Sequence, residues 1–394
     1  MNSLIQSRCA LFTSSALVRI AGLVAVGCAM PMVFTSPAEA QSRGVMQPVL
    51  PTGGSVAAGS ATIATGSNNV TIRQTSQNAV LNWQTFSIGA AGSAVFVQPN
   101  SSAVALNRVL GPEGSTILGS LSANGRVFLI NPNGIVFGKG ANVNVGGLVA
   151  STLGLSDANF MAGHYTFAGG GGGLVVNEGT ISADGGYVAL LGAQVDNRGL
   201  IRANLGTVAL AAGEAITLDV VGDGLLKIAV DKGAVKALVE NGGLLRADGG
   251  QVILTAQAAG ALLGTVVNNS GIIEARTLEN QGGKIMLLGD MASGTVNLSG
   301  TLDASAPSAG DGGFIETSAA SVNVAESARV TTAAPLGTTG TWLIDPADYI
   351  VGAGGNISGA TLSAQLVTNN VVISTIPASG DTSTGNGDII VNDA

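Results

Sequence analysis

One histidine, two cysteines and four aspartates set among glycine turns are the side chains of this chain that could do chemistry. His164 is the single histidine. A Ser-His-Asp nucleophile would have to use it, yet nothing around Gly163-His164-Tyr165 reads as a nucleophile elbow, so it is expected to be a loop residue. Asp184, Asp248, Asp303 and Asp311 each lie beside a glycine turn or on an outward strand position. A sugar-cleaving pair needs two carboxylates held about 5 to 10 Å apart. Stacked repeats could align these four, but aspartate next to glycine is ordinary turn composition. Cys9 and Cys28 fall inside a terminal apolar segment, which leaves one histidine and no cysteine as soft metal ligands in the rest. Tandem G-G-x-G-x-D calcium repeats and a phosphate loop are missing. The expectation is a protein with no catalytic residue, no metal and no cofactor.

A different stretch is more informative. Asn131-Pro132-Asn133-Gly134-Ile135 separates two apolar runs, Val127-Phe128-Leu129-Ile130 and Ile135-Val136-Phe137. Proline presets φ at the first corner, asparagine tolerates the second, and glycine supplies a left-handed exit. The spacing predicts a tight turn joining two strands.

The elements that must position this turn follow from composition and repeats. The 394 residues include 59 Gly and 11 Pro, with 46% hydrophobic, 4% aromatic and 10% charged residues. Average proteins carry about 25% charged residues and about 7% Gly. Disorder needs low hydrophobicity and high charge, and neither is present. Collagen needs glycine at every third position, and that period is missing. The net charge of −8 argues against nucleic acid as a partner, because phosphate binding needs a basic face.

A unit of glycine, spacer, aliphatic, spacer, alanine recurs after about residue 170. Its copies are Gly179-Thr-Ile181-Ser-Ala183, Gly199-Leu-Ile201-Arg-Ala203, Gly243-Leu-Leu245-Arg-Ala247, Gly271-Ile-Ile273-Glu-Ala275 and Gly300-Thr-Leu302-Asp-Ala304. Several continue into a glycine turn and a second strand, as in Asp248-Gly249-Gly250-Gln251-Val252-Ile253-Leu254. One unit cannot bury its apolar face, whereas a stack of them buries a continuous core. The expected fold is all-β, a right-handed parallel β-helix, with Ile181 and Ala183 inward and Ser182 and Asp184 outward. Gly53 to Phe96 is expected to form an N-terminal cap. Gly169 to Gly173 is expected to be a loop. Asp388-Ile389-Ile390-Val391 reads as a final strand, and no capping element is expected near it. At ~20 residues per coil and ~4.8 Å between strands, residues 41–394 would make roughly 17 coils, fewer with insertions.

Residues 1–40 read as an export signal. Arg8 and Arg19 form the positive region, Ile20 to Phe34 the apolar core, and Ala38-Glu39-Ala40 a cleavage site before Gln41. The apolar run falls short of the ~20 residues that span a membrane. Without cysteine, the exported part carries no disulfide to block passage of an unfolded chain.

The wider run around the turn carries a resemblance. It comprises Asn107-Arg108-Val109, Ser115-Thr116-Ile117-Leu118-Gly119 and Asn124-Gly125-Arg126 through Phe137-Gly138. It closely resembles the N-terminal secretion domain of the filamentous haemagglutinin family, the large exoproteins of bacterial two-partner secretion. The resemblance covers roughly residues 45 to 290. A second family motif, Asn-Pro-Asn-Leu, has no clean copy, since the nearest string is Gln98-Pro99-Asn100-Ser101. Thr341-Trp342-Leu343-Ile344-Asp345-Pro346 is similar to a segment of some large family exoproteins. The resemblance implies the same β-helix fold and recognition by an outer-membrane β-barrel transporter with periplasmic receptor domains, while the chain is extended. It places the family motif on Asn131, Pro132, Asn133, Gly134 and Ile135, in transporter recognition or in folding of the first coils. It also implies an adhesin role towards a host or neighbouring-cell surface.

The domain reading is a signal at 1–40, a secretion domain at 41–290 and further, incomplete repeats at 291–394. Two other readings stand beside the adhesin. One is the delivery stalk of a contact-dependent toxin lacking its toxin domain. The other is a polysaccharide-active β-helix enzyme, which would need a groove of aligned Asp and Arg or Lys that the sparse charge does not suggest.

Overall fold

The computed structural model describes residues 49–220, 225–260, 264–278, 280–375 and 385–392. The signal segment, Cys9, Cys28 and the Ala40/Gln41 cleavage position lie outside the described residues.

One coil shows how the chain is wound. Arg126–Ile130 lies in a first sheet, Ile135–Phe137 in a second and Asn142–Asn144 in a third, and Gly147–Ser151 returns to the first. Each strand pairs in parallel with its counterpart one coil later, as Val127 with Leu148 and Val143 with Ile181. The described residues build sheets of 12, 8 and 11 strands, parallel except for the first strand of the 12- and 11-stranded sheets. This is the parallel β-helix that the repeats predict. It has fewer coils than roughly 17, because coils vary in length and two excursions leave the stack.

The repeat residues take the expected directions. Ile181, Ile201, Leu245, Ile273 and Leu302 form one fully buried row inside the third sheet, and Ala183, Ala203, Ala247, Ala275 and Ala304 form another. Small inward alanines allow the coil to turn sharply into the next corner. Ser182 and Asp184 face outward.

Glycine recurs because the corners bring backbones together. A Cβ on Gly199, Gly243, Gly271 or Gly300 would collide with the carbonyl oxygen of the corner glycine one coil earlier. Gly206, Gly250, Gly313 and Gly340 form a second such column, where the third sheet turns back into the first.

A buried amide ladder runs beside the first column. Asn177 donates through Nδ2 to Oδ1 of Asn197 at 2.8 Å, Asn197 likewise to Asn241 at 2.8 Å, and Asn241 to Asn269 at 2.7 Å. The sequence separations are 20, 44 and 28 residues, yet the four side chains stack in register. Oδ1 of Asn177 also accepts from the Gly179 amide, so the ladder fixes the corner as well as the stack. Leu298 takes the next position and ends it.

The N-terminal end is capped by antiparallel strands, as expected. Ser55–Ala58 pairs with Asn78–Trp83, and Ala61–Thr65 with Asn69–Gln74. The C-terminal end departs from expectation. Ile389–Val391 is a strand, paired with Tyr349–Val351, but helix Gly359–Gln365 packs against the last strand of the third sheet, where no capping element was foreseen. The helix is short and its cap, Ser358, sits in a polar stretch without a helical apolar pattern, so the sequence carries little sign of it.

A second core lies outside the β-helix. The strands Leu153–Gly154, Tyr165–Gly170, Ala215–Val220 and Leu226–Lys232 form an antiparallel sheet over the outer face of the first sheet. Together with helix Asp157–Met161 it buries Phe128, Ile130, Val149, Tyr187, Ala189 and Ala209. Strands covered on both sides read as unbroken apolar runs rather than alternating ones. That explains Val127-Phe128-Leu129-Ile130 and Tyr187-Val188-Ala189-Leu190-Leu191.

Two stability measurements check the stacking. Gly243→Ala places a methyl against the Gly199 carbonyl and is expected to cost about 2 kcal/mol in denaturant unfolding. Gly282→Ala, which meets open space, is expected to stay within about 0.5 kcal/mol of the parent. In the ladder, Asn241→Leu strands amide groups on both Asn197 and Asn269, whereas Asn269→Leu strands only that of Asn241. The expected costs are about 3 and about 1.5 kcal/mol, since a buried unmet polar group costs roughly 1–3 kcal/mol. Equal costs would remove the ladder from the account.

Candidate functional site

The turn at Asn131–Ile135 is the corner between the first and second sheets. Both strands it joins are buried: Arg126–Ile130 by the β-helix core on one side and the outer sheet on the other, Ile135–Phe137 by the β-helix core. The turn therefore connects two different sheets of one coil and is not a hairpin.

Its polar groups are spent on the protein itself. The Asn131 side chain is fully buried. Its Nδ2 donates to the Glu113 carbonyl at 2.9 Å and to Ser115 Oγ at 3.0 Å, both one coil earlier. Its Oδ1 accepts from the Asn133 amide at 3.0 Å, and its own amide donates to the Ser151 carbonyl, one coil later, at 3.0 Å. The Gly134 amide closes the turn on the Asn131 carbonyl at 3.1 Å. Asn133, exposed as a residue, sends Nδ2 back to the Gly111 carbonyl at 3.1 Å. Gly134 has φ of +111°, a conformation that side chains oppose. Ile135 points into the core with no exposure. The five residues thus rivet three successive coils at one corner.

The glycine run is part of the same corner, although it was expected to be only a loop. Gly169 and Gly170 end the strand Tyr165–Gly170. Gly171 then crosses the Pro132 carbonyl, and Gly173 crosses the Asn133–Gly134 peptide, both so closely that a Cβ would collide. The chain returning from the outer sheet needs glycines because it lies directly on the turn. A run of five glycines was the available sign, but it does not say what they lie against.

The wider motif residues have structural partners too. Asn107 is buried and accepts from Trp83 Nε1 at 3.0 Å through Oδ1. Arg108 reaches out of the β-helix to Asp157 at 2.6 Å and to the Leu155 carbonyl at 2.7 Å, tethering helix Asp157–Met161. Phe128 packs its ring against Phe160, Tyr165 and Phe167 at centroid distances of 5.9, 5.1 and 6.1 Å. Arg126 lies over the Tyr187 ring at 5.3 Å, and burial pushes the Tyr187 hydroxyl far above its usual range.

The histidine and the turn aspartates stand apart from this corner. His164 is exposed, just beyond helix Asp157–Met161. Asp184 pairs with Arg202 at 3.0 Å, and Asp248 with Arg276 at 3.2 Å. Asp303 Oδ1 accepts from the Ser305 amide and Asp311 Oδ1 from the Thr338 amide. Charge alignment is greater than expected, which corrects the reading from sparse charge. Arg202, Arg246, Glu274 and Asp303 occupy one register row on the outside of the third sheet, and Arg246 and Arg276 both pair with Glu274. Neighbours along this row are 28 to 44 apart in sequence, so only the coil register brings them together. On the second sheet, burial raises the Asp196 carboxyl above the ordinary range, against the pull of Arg198 at 2.6 Å. Among the described residues, no group of three metal-ligating side chains occurs.

Comparison with known proteins places this geometry. Residues 47–304 match the family described as TPS secretion domain. A heme/hemopexin-binding protein of Haemophilus influenzae strain Rd is 37% identical over 251 residues, which is 61% of this chain and 27% of that protein. A second heme/hemopexin-binding protein of Haemophilus influenzae is 34% identical over 250 residues, covering 57% of this chain and 26% of that protein. The chain thus spans about a quarter of the length of these curated relatives. The crystal structure of the HMW1 secretion domain from Haemophilus influenzae is similar with a TM-score of 0.64 at 24% identity, covering 87% of this chain and all of that one. That likeness supports the fold alone. With the β-helix, the sealed corner at Asn131–Ile135 and the match over residues 47–304 in place, the chain belongs to the TPS secretion domain family, the N-terminal domain of two-partner secreted exoproteins.

Proposed function

We propose that the Asn131–Ile135 turn serves export by folding the first coils rather than by offering a docking surface. The observation that carries this is the burial of Asn131 with both ends of its amide bonded to neighbouring backbone or side-chain groups. In the folded state it has nothing left to offer a partner. Repeat folds nucleate locally and propagate, so a corner that binds three coils suits nucleation.

In this reading the partner is an outer-membrane β-barrel transporter with periplasmic receptor domains, which takes the chain while it is extended. The product acts outside the cell as an adhesin towards a host or neighbouring-cell surface, without catalysis and without a cofactor. The named relatives favour a second reading of the binding target, heme or hemopexin. Surface binding of the whole chain to cells, against binding of hemin or hemopexin in solution, separates the two.

The experiment is co-expression with a family transporter, comparing wild type with Asn131→Ala/Asn133→Ala. Wild type is expected in the medium only with the transporter. The double variant is expected to bind isolated receptor domains within about 3-fold of wild type, yet to lose about 3 kcal/mol of stability and most of its release. Release of wild type without any transporter would remove the two-partner reading. Loss of receptor binding at unchanged stability would assign the motif to contact instead of folding.

A further inference from the structure

Among the described residues, the last strand of the third sheet, Arg329–Thr331, has no strand beyond it. A bare strand edge is a template for another chain. Here the edge is already filled, by side chains. Gln365 Oε1 accepts from the Val330 amide at 2.9 Å, and Gln365 Nε2 donates to the Ala328 carbonyl at 3.1 Å. One amide side chain thus makes the acceptor and donor contacts that a neighbouring peptide would make. Asn369 Nδ2 donates to the Val330 carbonyl at 2.9 Å, and Thr368 Oγ1 to the same oxygen at 3.1 Å. The Thr332 amide donates to the Thr368 carbonyl at 3.2 Å. Gln365 and Asn369 are each 4% exposed, which is unusual for residues of these types.

The neighbouring sheets support the same reading. The end of the second sheet is met by backbone, as the Val324 amide donates to the Asn356 carbonyl at 2.8 Å. The first sheet continues for one strand more, to Asn370–Ile373. Under this end, Trp342 and Tyr349 are buried without exposure, and Trp342 stands where the two preceding coils place Ile315 and Ile285. The string Thr341-Trp342-Leu343-Ile344-Asp345-Pro346 thus forms the first-sheet strand of this coil.

We propose that Ser358–Asn369 is a built-in edge cap that closes the third sheet against strand addition by a second copy of this chain. It lies beyond residues 47–304, so it is separate from the part that matches the secretion family. A chain that folds after export has need of such closure, because a bare edge of the third sheet is an open template.

Hydrogen exchange at the Val330 amide and sedimentation of the full chain test this together. Wild type is expected to protect Val330 and to sediment as a single species. Gln365→Leu/Asn369→Leu removes the edge bonds, and Val330 is expected to exchange roughly 5-fold faster or more, the factor of one net hydrogen bond, with concentration-dependent association. Asn369→Leu alone leaves the Gln365 acceptor on the Val330 amide and is expected to retain its protection, which separates loss of the cap from general unfolding. Unchanged Val330 exchange in the double variant, or faster exchange with no association at any concentration, would overturn the proposal.

Discussion

The structure depends on how closely one coil approaches the next at its corners. Strands of neighbouring coils must sit ~4.8 Å apart along their whole length to pair. At a corner the backbone turns through a sharp angle while keeping that spacing, and a side chain on the crowded position would stand against the next carbonyl. Gly199, Gly243, Gly271 and Gly300 meet that constraint at one corner, and Gly206, Gly250, Gly313 and Gly340 at another. Asparagine meets it in the complementary way. Asn177, Asn197, Asn241 and Asn269 turn their amides along the stack, so that the polar groups a corner exposes are bonded inside the core. The third corner, at Asn131–Ile135, uses both devices at once.

The part of this that the sequence makes legible is the part with a short period. Gly-x-Ile-x-Ala repeats within one strand and one corner, and inward and outward residues follow directly from it. What the sequence hides is everything set by coil register over variable loops. Arg202, Arg246 and Glu274 look scattered, and the asparagines of the ladder look like turn residues. Each set lines up only after excursions of unequal length are folded out. The second core is hidden for a different reason. Val127 to Ile130 and Tyr187 to Leu191 read as apolar runs, which fit a strand buried on both faces, but nothing local says that an antiparallel sheet from residues 153–232 supplies the second cover. The turn itself was legible as a turn, while the glycines lying on it from 40 residues away in the chain were not assignable to it.

The outer sheet changes what the motif corner is. Without it, Asn131–Gly134 would be a surface turn between two short strands. With it, Gly171 and Gly173 cross the turn, Arg108 holds helix Asp157–Met161, and Phe128 anchors the aromatic cluster beneath. The family-specific residues are therefore the places where the β-helix and its outer layer are joined. A change at this corner acts on both cores, so its effect on folding exceeds what its five residues suggest.

A chain of this design is built from contacts between neighbouring coils. The described residues hold together by contacts between successive coils, and they contain no cysteine. Order can therefore spread from coil to coil. The N-terminal antiparallel strands cover one face of the first parallel stack, and the Asn131 corner ties its next three coils before any Gly-x-Ile-x-Ala repeat is reached. Coils that follow find a finished edge with glycine spines and amide donors already in position. The same edge that templates the next coil would template a foreign strand, and the antiparallel N-terminal strands and the Gln365 and Asn369 side chains each occupy such an edge.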